Sequence, residues 1–135
     1  MFVDACVIMS IMASETTAPA YEAELAQGDA PFTSPLAAWE AIIAMSGPDQ
    51  LDCPFTTTEV LVVAWLAERQ IALREPTSPR EVLSYAVAVA EKHGLGRRHL
   101  SNFDCFHYAH AKAAGTPLLM LDQFLRNTDV ETLPV

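Results

Sequence analysis

Short apolar runs alternate with longer amphipathic stretches along this chain, and residues that start or stop helices separate them. Phe2-Val3 has the character of a short buried strand ending at Asp4, followed by a helical stretch through Ile8 to Met12. A second helix is expected from about Pro19 to Gln27, stopped by Gly28, with Pro31-Phe32-Thr33 as the next strand. Ser34 and Pro35 supply an N-cap and a proline at the first helical position, opening a helix that closes at Ser46-Gly47. Thr56 with Glu59, and Ser78 with Glu81, have capping-box spacing and predict helices over about 57–70 and 79–93, with a strand at Ile71-Ala72-Leu73 between them. A last helix spans about Asn102 to Ala114 and stops at Gly115, after which the apolar run Pro117 to Leu121 delivers Asp122. Strands alternating with helices predict an α/β fold with a short, mostly parallel central sheet.

Composition narrows the class. A chain of 135 residues, 51% of them hydrophobic, is the size of one domain with a full core, so residues 1–135 are expected to form a single domain. No run approaches the roughly 18 apolar residues of a membrane helix. Asp4 interrupts the apolar start, which carries no basic flank, so a soluble cytoplasmic protein is expected. Cys6, Cys53 and Cys105 are odd in number and far apart, which suits a reducing compartment and excludes a disulfide framework.

Charge is distributed unevenly. The net charge is −9, and residues 1–60 hold nine Asp or Glu and no Lys or Arg. A basic face of the kind that gives a non-catalytic nucleic-acid binder its affinity is therefore missing. Any RNA handled by this chain requires metal ions or a basic partner to offset repulsion. Glu22, Glu24, Asp49 and Asp52 read as solvated surface.

Four other acids carry candidate chemistry. Asp4 and Asp122 each follow a strand, at the sheet end where α/β folds build their sites, although each also suits a helix cap or a turn. Glu40 falls at helical spacing with Leu36, Trp39 and Ile43, a face expected to be buried, where a lone charge is costly unless paired or metal-bound. Asp104 lies in the first turn of its helix, where Ser101 to Asp104 matches a capping box with Asp in place of Glu. If these carboxylates converge, their mutual repulsion calls for Mg²⁺ or Mn²⁺, and such an ion suits phosphodiester hydrolysis.

The ordered blocks Phe2-Val3-Asp4-Ala5, Ser34-Pro35-Leu36-Ala37-Ala38-Trp39-Glu40, Asn102-Phe103-Asp104-Cys105-Phe106-His107-Tyr108-Ala109 and Leu118-Leu119-Met120-Leu121-Asp122-Gln123-Phe124 resemble the PIN domains of the VapC toxin group. The likeness extends over nearly the whole chain. It implies a PIN-like α/β/α sandwich and a Mg²⁺-dependent endoribonuclease (Mn²⁺ serving in its place) that hydrolyses RNA as the toxin of a toxin–antitoxin pair. It also implies a homodimer and a cognate antitoxin through which alone operator DNA is bound. On this resemblance Asp4 and Asp104 match the principal metal ligands, Glu40 the helix carboxylate and Asp122 the acid after the last core strand. There are departures from the family pattern. Cys6 stands where Ser or Thr is common, Ala37 replaces a frequent hydroxyl residue, and a single acid at Asp122 replaces a pair, which makes Asp129 a second candidate for the fourth position.

Other features have competing readings. Arg97-Arg98-His99 suits either substrate phosphate or a solvated loop. His107 and His110 are expected to be core or boundary histidines rather than ligands, and Cys6 and Cys105 small buried residues without a base to activate them. Leu61, Val62, Trp65 and Leu66 form a helical stripe suited to a dimer contact, with Trp39 and Trp65 in the core or at that contact. The rival enzyme reading, an aspartyl-nucleophile phosphatase or phospho-receiver, wants a second Asp where Cys6 stands and a late Lys where only Arg126 is found. The rival from another class is a non-catalytic PIN-like binding module; retention of all four carboxylates favours the enzyme.

Overall fold

A computed structural model describes residues 1–135. In chain order it contains β1 (Phe2–Val3), α1 (Ala5–Met12), α2 (Ala18–Gln27), β2 (Phe32–Thr33), α3 (Pro35–Met45), α4 (Phe55–Glu68), β3 (Ala72–Leu73), α5 (Pro79–His93), α6 (Asn102–Ala114), β4 (Leu118–Leu119), a 3₁₀ turn (Leu125–Asn127) and β5 (Thr132–Leu133). The five strands form one sheet in the order β3-β2-β1-β4-β5, and every pairing is parallel.

Alternation along the strands makes this a three-layer structure. Phe2 and Leu118 point into a core built with Val82, Val89, Leu100 and Tyr108 of the α5–α6 side. Their neighbours Val3 and Leu119 point the other way, into a core with Ile8, Ile42, Val62 and Leu66 from α1, α3 and α4. Both sheet faces are thus covered by helices, which is why the strands read as uninterrupted apolar pairs. No helix is long and apolar enough to cross a membrane.

Several helix starts follow the expected chemistry. Asp4 caps α1 by accepting from the Cys6 N–H at 3.4 Å, and Ser34 caps α3 by accepting from the Ala37 N–H at 3.0 Å. In α6 the capping box is complete: the Asp104 N–H donates to Ser101 Oγ at 3.0 Å and the Ser101 N–H donates to Asp104 Oδ2 at 2.9 Å. Gly115 ends that helix at φ 64, a left-handed conformation that glycine adopts without strain.

Two predicted capping boxes do not form. Helix α4 begins at Phe55 behind Pro54, with no side-chain cap. Thr58 is instead fully buried, its Oγ1 2.6 Å from Ser46 Oγ and 3.2 Å from Cys53 Sγ, so the threonine run ties α4 to the end of α3. Ser78 precedes α5 without a cap hydrogen bond. The third strand is shorter than expected, because Ile71 faces the core ahead of the paired Ala72–Leu73. Strand β5 was not foreseen: it contributes two half-buried residues, too few to leave a periodic signal.

Candidate metal centre

Parallel sheets present functional groups at the carboxyl ends of their strands, beside the point where the strand order reverses. Here β1 lies between β2 and β4, and Asp4 leaves β1 at that end. Its carboxylate is 5% exposed, and one oxygen, Oδ1, is buried without a hydrogen bond. Such an atom in a low-dielectric surrounding calls for a hydrogen-bond donor or a cation.

The first group that meets it is an imidazole. His107, one turn after Asp104 on α6, is fully buried, with Nε2 3.3 Å from Asp4 Oδ1 and 3.2 Å from Glu40 Oε2. Only the second contact has hydrogen-bond alignment, Nε2 donating to Glu40. The ring is stacked with Phe2 and with Phe103, with centroids 5.7 and 6.5 Å away and planes tilted by 30° and 23°. Burial opposes the charged form of this histidine. The Asp4 charge, the Glu40 hydrogen bond and the charges of Glu40 and Asp104 outweigh it, so the pKa is raised.

Asp104 faces the same region. Burial pushes its carboxyl pKa up; the Ser101 hydrogen bonds oppose this, and the charges of Asp4 and Asp122 add to it. Asp122 is exposed, and its Oδ1 accepts from the N–H groups of Phe124 at 2.7 Å and Leu125 at 3.2 Å, fixing it at the start of the 3₁₀ turn. Of the four sequence-predicted acids, Asp4 and Glu40 share the imidazole, while Asp104 lies within electrostatic reach of both Asp4 and Asp122.

Two expectations need correction. Asp129 is engaged elsewhere: Tyr108 Oη donates to its Oδ1 at 2.7 Å and Lys112 Nζ to its Oδ2 at 2.6 Å, which removes it as the second candidate. Glu40 does not sit on the buried face of its helix. That face is Ala37, Ala38, Ala41, Ile42 and Met45, whereas Trp39 is 47% exposed and the Glu40 side chain 25% exposed. Glu40 is therefore a boundary acid with a histidine partner rather than a lone charge in the core.

His107 is the site residue that sequence reasoning set aside. Its signal was the three-residue spacing from Asp104, which puts both on one helix face. His110 does behave as a core histidine, stacked on Phe2 at 5.5 Å, with its pKa lowered to about 4 by burial and by the nearby His107. Cys6 is no nucleophile, because burial and then the Asp4 charge push its thiol pKa well above the ordinary value.

One ligand atom from each of Asp4, Glu40 and His107 lies within 4.8 Å of the other two, so together with the unpartnered Asp4 Oδ1 the residues present fit a divalent cation. The family model of the PIN domain matches residues 1–131. This chain belongs to the PIN domain family. PIN domains are in general nucleases. Among solved structures, this PIN domain is similar to a chain in the 2.2 Å resolution structure of VapBC-1 from nontypeable Haemophilus influenzae. The two align with a TM-score of 0.69 at 17% identity, over 97% of this chain and 94% of that one, a likeness that shows the shared fold. No curated protein matches the sequence. In this PIN domain the α/β/α layers bring the acids of β1, α3 and α6 to one sheet end, which composition and spacing did not contain.

Proposed function

We propose that this PIN domain is a divalent-metal-dependent endoribonuclease that acts as the toxin of a toxin–antitoxin pair. The observation that carries the reading is the buried, unpartnered Asp4 Oδ1 facing Glu40 and His107 at the carboxyl end of a parallel sheet. Asp4, Glu40, Asp104 and Asp122 are the proposed catalytic acids and the carboxylates proposed to hold Mg²⁺ or Mn²⁺, with Asp4 and Asp104 as the principal ligands. When bound, such an ion supplies Lewis acidity and a water of lowered pKa. The chain itself contributes position. Asp4 is fixed by capping α1 and Asp104 by its capping box, so neither has to be ordered when substrate arrives. Glu40, partly open to solvent, is able to accept a hydrogen bond from an attacking water. Arg97 and Arg98, exposed and in no ion pair, lie in the loop that enters the Ser101 cap and offer a phosphate contact on an otherwise acidic chain.

The proposed partners are RNA as substrate, a second copy of the chain, and a cognate antitoxin that alone contacts operator DNA, all in the cytoplasm. The similar solved structure carries the name VapBC-1, which supports the antitoxin assignment by analogy. An antitoxin arginine bridging two of the carboxylates would neutralise the site without mimicking RNA. Purified protein should cut RNA with Mg²⁺ or Mn²⁺ and stop when EDTA is added. Cleavage that persists in EDTA would overturn the assignment.

A further inference from the structure

We infer that His107 is itself a metal ligand, so that the ion is held by an imidazole as well as carboxylates and the site prefers first-row transition ions to Mg²⁺. The inference rests on the metal-dependent reading above and specifies the ion that reading leaves open. Three observations carry it. His107 is fully buried and offers Nε2, and no other atom, to the acids; its Nδ1 is enclosed without a partner on the far side of the ring. Asp4 Oδ1 is also buried and lacks a hydrogen bond, although Nε2 stands 3.3 Å away. Because Nε2 is aligned on Glu40 instead, Oδ1 stays without a partner beside the ring.

Separation is the third observation. Two donors bonded to one ion at about 2.1 Å each, subtending an angle near 100°, end about 3.2 Å apart. Nε2 lies 3.2 Å from Glu40 Oε2 and 3.3 Å from Asp4 Oδ1, distances that suit a shared ion as well as they suit hydrogen bonding. Phe2 and Phe103 both stack on this ring. To hold an ion through Nε2 the ring would carry its one remaining proton on Nδ1, the Nε2 proton of the doubly protonated ring passing to solvent and the freed Nε2 lone pair serving as the ligand. Mg²⁺ is a hard ion that keeps oxygen ligands and waters, whereas an imidazole favours transition ions.

The test is binding of Mn²⁺ and of Mg²⁺ by the full chain, with pulsed EPR of the Mn²⁺ complex, comparing unmodified protein with His107→Gln. The expected result is a nitrogen coupling in the native complex that changes on isotopic labelling of histidine and disappears in His107→Gln, with the Mn²⁺-over-Mg²⁺ preference falling at least about tenfold. If the buried substitution prevents folding, the labelled native complex decides alone. Mn²⁺ bound with no histidine coupling overturns the inference and leaves the nuclease reading intact; an unchanged ion preference overturns the selectivity. Binding of neither ion at millimolar concentration defeats both readings together.

Discussion

At the scale of single residues, several polar groups of the site do two things at once. Asp4 caps α1 with one oxygen and leaves the other free, while Asp104 closes a capping box and contributes charge to the acidic cluster. Capping at these positions is compatible with the proposed metal binding. This gives a clean separation of roles. Asp104→Asn retains an amide oxygen able to accept the Ser101 N–H but loses the charge that burial and the nearby acids disfavour. Its melting temperature in EDTA should equal or exceed that of the unmodified chain, while RNA cleavage falls on the order of 100-fold or more, a loss above that of removing a residue which merely orients a ligand. A variant that loses its fold, seen by circular dichroism, would show that the cap alone was at stake. The place of Asp4 after a strand was legible; the contact of His107 with Asp4 and Glu40 was not, because a histidine on a helix face reads the same way in a core.

Elements tell a mixed story. Helix α5 runs over the predicted residues, and the complete capping box of α6 is as its sequence specified. The threonines ahead of α4 carried a capping signal that tertiary contacts overrode, since Thr58 is buried against Ser46 and Cys53. Thr58→Val keeps the shape and removes the hydroxyl, and should destabilise the fold by about 1–2 kcal/mol in urea titration. Helix α6 is also tied to the segment leading into β5 by Lys112, which donates to Asp129 and to Tyr108. Donation by Lys112, and then by Tyr108, holds the Asp129 carboxyl down to about 2. A depressed carboxyl pKa stabilises the fold above the unfolded value near 3.9, and the gain disappears as pH falls toward 2. The stability difference between native chain and Asp129→Asn should therefore be small but steady above pH 4, shrink between about 4 and 2, and diminish in high salt because the pair is exposed.

For the molecule as a whole, the α/β class could be read from alternating apolar runs, but the strand order could not. Each strand contributes two paired residues, so nothing in the sequence says that β1 is central or that residues 118–119 lie beside it. The expected dimer stripe was also partly misread: Val62, Trp65 and Leu66 belong to the core, and the outward face of α4 is Phe55, Val60, Leu61 and Val63, with Trp39 set against Phe55 at 6.2 Å. An apolar face of this extent suits a two-fold contact with a second copy. Leu61→Glu should convert the proposed dimer to monomer in sedimentation velocity at micromolar concentration without altering the circular dichroism spectrum. The central position of β1 has a consequence for synthesis. Among the five strands it leaves the ribosome first, yet β4 on its other side and the neighbouring Asp122 come more than a hundred residues later. A nascent chain holds Asp4, Glu40, His107 and Asp104 before it has the strand that completes their platform, so the proposed site can assemble only once β4 has been synthesised.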